Sequence, residues 1–264
     1  MMKLTPDNPC APVIYYEQYE SWLESGNHTL DDVLDDIERQ LETRSLMHGL
    51  EFQNYEQMEE KLVFRIINYE KNEELLQTAP FRRLFDLAIV CKAILAFSDG
   101  MEGSMLVTHS LIKSWGITED ELFEVAEKNT SENYSVLIRS VGEVFQGYGM
   151  ELEELERLTN EPLQMDRMMF VADAAASNCG GLCLLRKDKF REFANEYNMD
   201  LYILPSSIHE LVIIPKKDDI KEEQLLSMIH EVNSHVVDKE EFLSNHLYCY
   251  LREQDEIIDT CAVA

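Results

Sequence analysis

The stretch Asp200-Leu-Tyr-Ile-Leu-Pro-Ser-Ser-Ile-His-Glu-Leu-Val-Ile-Ile-Pro215 constrains the fold of this chain more than any other. Two apolar runs flank Pro205-Ser206-Ser207, and Pro215 closes the second. Leu201 to Leu204 and Leu211 to Ile214 are strand formers. A Pro-Ser-Ser turn between them supplies a fixed φ and hydroxyl-to-backbone hydrogen bonds. The spacing predicts a β-hairpin. Its strands are too apolar to face water on both sides, so the hairpin belongs inside a sheet covered by helices.

Other segments extend this reading. Thr29 caps a helix in which Leu30, Val33, Leu34, Ile37 and Leu41 recur at helical spacing, with Asp31, Asp32, Asp35, Asp36 and Glu38 between them. An aromatic group, Tyr15, Tyr16, Tyr19 and Trp22, precedes it. Leu62 to Asn68 is β-branched and aromatic enough for a strand. Phe85 to Phe97 reads as a long buried strand, with helix as the alternative at this length. Ser98-Asp-Gly100 turns it into a second strand, Gly103 to Thr108. A helix over His109 to Trp115 stops at Gly116. Thr118-Glu-Asp-Glu121 is a capping box. Arg167 to Ala172 is a strand, and helices follow over Lys187 to Asn198 and Ile220 to Val232. His246 to Leu251 is a closing strand.

Strands and helices mix here without strict alternation, which argues an α+β class. The expected architecture is mixed, largely antiparallel sheet covered by amphipathic helices, in two halves of similar element order. Residues 1–60 form an N-terminal aromatic segment and acidic helix, and 61–130 a first half. Residues 131–164 are a polar connecting region containing a short acidic helix from Met150 to Arg157. Residues 165–251 are the second half, and 252–264 a frayed tail.

Charge narrows the function. The 264 residues carry 23 Lys and Arg against 51 Asp and Glu, a formal net charge of -28. Such a surface repels phosphate backbones and anionic membranes, so direct nucleic-acid binding is disfavoured. A nucleic-acid mimic, with acids in rows at phosphate-like spacing, is the one nucleic-acid reading left. The N-terminus lacks a signal-peptide pattern, and no apolar run is long enough to span a bilayer. Six scattered cysteines without a secretion signal point to reduced thiols and a cytoplasmic location.

Candidate site residues are few. Ser207 and His209 alternate along an extended chain and would share a face, as a hydrolase or transferase using a distant acid requires. Ser206 and Glu210 flank them, and a turn-and-surface role competes with the catalytic one. Cys179 and Cys183, with His246 and Cys249, contain the ligand types of a zinc site but follow no known signature. Asp86, inside an apolar strand and near Arg82 and Arg83, reads as a buried ion pair. Asn68 and Arg83 are further binding candidates. The Gly180-Gly181 pair fits neither a phosphate loop nor a dinucleotide fingerprint, so no cofactor is expected, and it reads as a tight turn.

Several of these stretches resemble an uncharacterised family of clostridial gut-bacterial proteins, domain-of-unknown-function family 5688. The matching pieces include Pro12-Val-Ile-Tyr-Tyr16, Ile67-Asn-Tyr-Glu-Lys-Asn72 and Pro80-Phe-Arg-Arg-Leu-Phe-Asp-Leu-Ala-Ile-Val90. Trp115-Gly-Ile-Thr-Glu-Asp-Glu-Leu122 and Leu204-Pro-Ser-Ser-Ile-His-Glu210 complete them. The likeness covers about residues 11 to 251. It implies a bacterial origin and an additional family segment before the position of Pro12, but no activity. Missing catalytic signatures and the acidic surface together favour a non-catalytic module that binds another protein.

Overall fold

The computed structural model describes residues 29, 30, 32 and 33, and residues 54–98, 101–147, 169–174, 180–205 and 207–262. The aromatic group at 15–22, most of the acidic helix and the Met150–Arg157 segment lie outside the described residues. So do Asp99, Gly100, Cys179 and Ser206. The start of the acidic helix is described: Thr29 and Asp32 cap it reciprocally, each backbone N–H donating to the other's side chain.

The first sheet holds β1 (Leu62–Asn68), β2 (Phe81–Leu84), β3 (Leu87–Ser98) and β4 (Met101–Leu106). β3 is its spine. β1 lies along one side, from Leu62 opposite Ala93 to Asn68 opposite Leu87. The other side is shared, by β2 opposite Leu87 to Val90 and by β4 from Lys92 onward. Leu87, Cys91 and Ala93 face the main core, while Ala88 and Val90 pack with Leu76 on the opposite face. Burial on both faces makes the β3 run continuously apolar, which is why its periodicity leaves helix open.

The second sheet holds β5 (Val136–Ser140), β6 (Phe170–Ala174), β7 (Leu201–Pro205), β8 (Glu210–Pro215), β9 (Tyr248–Leu251) and β10 (Glu256–Asp259). Its order is β10-β9-β7-β8-β6-β5, and every pairing is antiparallel. The hairpin expected from Asp200 to Pro215 is thus β7 and β8, at the centre. All five residues of β7 are buried. Leu201 and Ile203 join Phe170, Leu211, Tyr248 and Tyr250 on one face. Tyr202 and Leu204 join Ile214, Leu225, Ile229 and Cys249 on the other. Each aliphatic side chain so enclosed contributes about 1.5–3 kcal/mol.

Beyond the start of the acidic helix, the described residues form helices α1 (Tyr55–Met58), α2 (Glu73–Leu76), α3 (His109–Trp115), α4 (Glu119–Asn133), α5 (Val141–Gly147), α6 (Lys187–Tyr197) and α7 (Glu222–His235). α7 supplies Leu225 and Ile229 to one face of the second sheet. α6 covers the other, with Phe190 stacked on Tyr250 and Phe193 set edge-on against Phe170. α4 packs on β1: Phe123 meets Phe64 at 5.6 Å between ring centroids. A buried 3-10 turn, Gly180–Leu185, contacts β1 as well as β6 and β8, so both sheets contribute to one core.

Three expectations change. The tail from residue 252 is not frayed: Asp255 takes a left-handed φ of 52°, and β10 returns to pair with β9. Val136 to Ser140, within the stretch that composition reads as a polar connection, is the edge strand β5. Of the strand expected over Arg167 to Ala172, Arg167 and Met168 lie outside the described residues; β6 runs over Phe170–Ala174 and continues past Ala172 because Asp173 and Ala174 pair with Leu137 and Val136. Among the described residues no helix is long and apolar enough to cross a membrane.

Candidate functional site

The most distinctive concavity among the described residues is a cleft of about 650 Å³ beside β1. Among the described residues β1 pairs only with β3, which makes it an edge strand there, and four consecutive residues, Arg65 to Asn68, line the cleft. The opposite wall comes from Ile208 and the segment Lys239, Glu240 and Phe242. Asn68 ties the walls together, its Nδ2 donating to Leu243 O at 3.1 Å. Its Oδ1 accepts the Lys71 N–H at 3.0 Å, and its carbonyl accepts from Asn72 Nδ2 at 2.8 Å. Further along, Thr130 Oγ1 accepts the Phe64 N–H at 2.8 Å and Asn129 Nδ2 donates to Leu62 O at 2.9 Å. Side chains from α4 and from the Asn68–Asn72 turn thus complete the strand edge on either side of the cleft.

The charge of this cleft inverts that of the chain. Among the described residues Arg65, Lys71, Lys92 and Lys239 line it with one acid, Glu240. The whole sequence has more than twice as many acids as bases. Lys71 Nζ sits 3.4 Å from the Phe242 ring centroid, which positions the ammonium by a cation–π contact. Arg65 is buried, donating to Phe64 O and to the Tyr134 hydroxyl and lying over the Tyr134 ring. A concave wall of one sign focuses potential and attracts the opposite charge.

Of the candidate residues that are described, only Asn68 lines this cleft. Ser207 and His209 belong to the β7–β8 connection rather than to a strand. Ser207 Oγ accepts the His209 backbone N–H at 3.1 Å, so the hydroxyl stabilises the turn. His209 Nε2 lies 3.0 Å from Glu241 Oε1 instead of reaching Ser207. Glu210 opens β8 opposite Asp173. Gly180 packs its backbone flat against this connection, donating to Ile208 O at 2.7 Å.

Asp86 is not in a strand and does not pair with Arg82 or Arg83. Phe85, with φ of 57°, turns the chain between β2 and β3 and sends Asp86 toward β9. There Asp86 accepts from the Tyr248 hydroxyl at 2.5 Å and from Ser244 Oγ at 2.7 Å. Burial first, then the Asp86 charge, pushes the Tyr248 phenol well above its ordinary range. Arg82 reaches Asp120 at 3.2 Å, and Arg83 lies over Tyr69 and donates to Phe85 O. The arginines face outward where β2 is exposed, so sequence proximity misleads here.

The cysteine and histidine candidates are separated by the second sheet. Cys183 packs in the core shared by both sheets, whereas Cys249 faces α7 on the other side. Burial raises the Cys249 thiol to about 11. His246 turns its Nδ1 toward Asp259 at 2.8 Å and Asp86 at 3.6 Å. Asp259 was missed because its segment reads as tail; the signal was Ile257-Ile258 following Glu253-Gln-Asp255, an apolar pair after a turn.

No curated protein and no solved structure matches this chain. A pattern of aligned residues does: over residues 1–252 the chain matches, and therefore belongs to, the family of unknown function DUF5688.

Proposed function

We propose that this protein is a non-catalytic binding module, and that the cleft beside β1 holds an extended segment of a partner polypeptide bearing carboxylates. The observation that carries this reading is the coincidence of an edge strand with four basic residues in a chain of net charge -28. An edge strand offers main-chain donors and acceptors to an added strand, and pockets beside it select side chains. Lys71, Lys92 and Lys239 would pair with acidic side chains of that segment, while Ile67, Ile208 and Phe242 would take apolar ones. The outer acidic surface repels other anions, so the partner is neutral or basic apart from this segment. The buried thiols of Cys91 and Cys249 fit a protein that works in a reducing compartment such as the cytoplasm.

Fluorescence polarisation with labelled hexapeptides of alternating Glu and Val tests this. The Glu peptides should bind, Gln counterparts should bind at least tenfold more weakly, and N-methylation of alternate residues should abolish binding. Lys71→Glu with Lys239→Glu should remove the preference for Glu over Gln. Equal binding of Glu and Gln peptides, or an unchanged preference in the double variant, would refute the reading. Saturable binding of inorganic phosphate with no peptide binding would replace it with a small-anion site.

A further inference from the structure

The second constellation lies away from the cleft, where β9, β10 and the β2–β3 turn meet. His246 Nδ1, an Asp259 carboxylate oxygen and the Cys261 sulfur all lie within 4.8 Å of one another. We infer that these three side chains form a binding site for a divalent transition metal of the zinc type. Two of the three lie beyond the residues that match the family, and none belongs to the proposed peptide cleft.

The geometry favours this over a plain hydrogen-bonded cluster. Imidazole nitrogen, carboxylate oxygen and thiolate sulfur are the zinc-ligand types, and catalytic or exchangeable sites use three with one position open. Bonds of about 2.0–2.3 Å in a tetrahedron place ligand atoms about 3.3–3.7 Å apart. His246 and Asp259 stand at 2.8 Å and need to open by roughly half an ångström, and the sulfur, within 4.8 Å of both, needs to close by at most about 1.5 Å. The Cys261 backbone N–H already donates to Asp259 Oδ1 at 2.9 Å, which fixes the two ligands on one turn after β10.

The surroundings also fit a cation. Asp86 Oδ1 lies 3.6 Å from His246 Nδ1, so two carboxylates flank one imidazole. Their side chains are 13% and 6% exposed. Two largely buried carboxyl groups beside one imidazole make a setting that suits a divalent cation. Ser244 and Tyr248 hydroxyls hold Asp86 in place, the kind of outer support that metal sites use. His246 and Cys261 are half-buried, which leaves a route for the ion. Binding converts the Cys261 thiol to thiolate and releases its proton to solvent; the Nδ1 proton shared with Asp259 also leaves that nitrogen, shifting to Nε2 of a neutral ring or, where Nε2 already carries one, to solvent.

The test is titration of the reduced, full-length protein with Co²⁺ and Zn²⁺ after chelator treatment and desalting. One equivalent of Co²⁺ should bind with a thiolate-to-cobalt absorption band, and one equivalent of Zn²⁺ should displace it. Cys261→Ser should remove the band, and His246→Ala should weaken uptake at least tenfold. Among the described residues Cys261 makes its hydrogen bond through its backbone N–H, so Cys261→Ser tests the site even where His246→Ala fails to fold. No thiolate band in the native protein, or a band that survives in Cys261→Ser, would overturn the proposal.

Discussion

Gly180 offers the sharpest test of how the two sheets are joined. A Cβ added there would lie well under 3.0 Å from main-chain atoms of His209 and Glu210. Backbone cannot swing aside as a side chain can, so Gly180→Ala must push the 3-10 turn off the start of β8. That displacement breaks the Gly180 N–H to Ile208 O bond, now 2.7 Å, between a buried glycine and a half-buried Ile208. Overpacking costs about 1–3 kcal/mol. An unmade buried backbone bond costs about 1–3 kcal/mol more. Loss of glycine freedom in the unfolded chain returns about 0.4–1 kcal/mol. The net expectation is a loss of about 1–5.5 kcal/mol, set against a total stability of about 5–15 kcal/mol for an ordinary domain. At Gly181 the nearest atom is the Ile66 Cβ at 3.0 Å, a side-chain contact that a few tenths of an ångström relieves. Gly181→Ala should therefore change stability by no more than about 1 kcal/mol. Urea unfolding followed by far-ultraviolet circular dichroism compares the two, with the denaturant slope unchanged. A Gly180→Ala loss below about 1 kcal/mol, or one equal to that of Gly181→Ala, would refute the close packing of this turn on β8.

Two further expectations follow from local chemistry. Thr118→Ala removes one half of the capping box, in which Glu121 N–H donates to Thr118 Oγ1 at 3.2 Å and Thr118 N–H donates to Glu121 Oε2 at 2.7 Å; urea unfolding should show a loss of about 1 kcal/mol, and Thr118→Ser should restore most of it. The Arg191 guanidinium, the Tyr250 hydroxyl and Lys187 hold the Asp255 carboxyl well below the usual carboxylate range. A lowered folded-state value adds stability above the unfolded value of about 3.9, and that stability is lost as pH falls toward the folded value. Thermal unfolding from pH 6 to pH 2 should then show the gap between wild type and Asp255→Asn narrowing as pH falls below about 4; a gap independent of pH would exclude this linkage.

What could be read from the sequence was whatever residues close in the chain decide. The β7–β8 hairpin follows from two apolar runs and a Pro-Ser turn a few residues long. The stop of α3 at Gly116, with its φ of 73°, follows from one residue. The cap at Thr118 follows from a spacing of three. Asn68 was marked as a binding residue and does line the cleft, although nothing local placed it there.

The sites were decided by tertiary structure. Asp86 meets Ser244 and Tyr248 across 158 and 162 residues, whereas the neighbouring Arg82 and Arg83 are turned away by the bend at Phe85. The cleft needs β1 to be an edge strand, and strand order is set by how two sheets share one core. His246, Asp259 and Cys261 converge only because β10 folds back on β9 instead of fraying. Torsion preferences and caps are short-range and leave a mark in a few letters. Strand order and the meeting of distant side chains depend on which apolar faces bury one another, and many sequences satisfy that with no local trace.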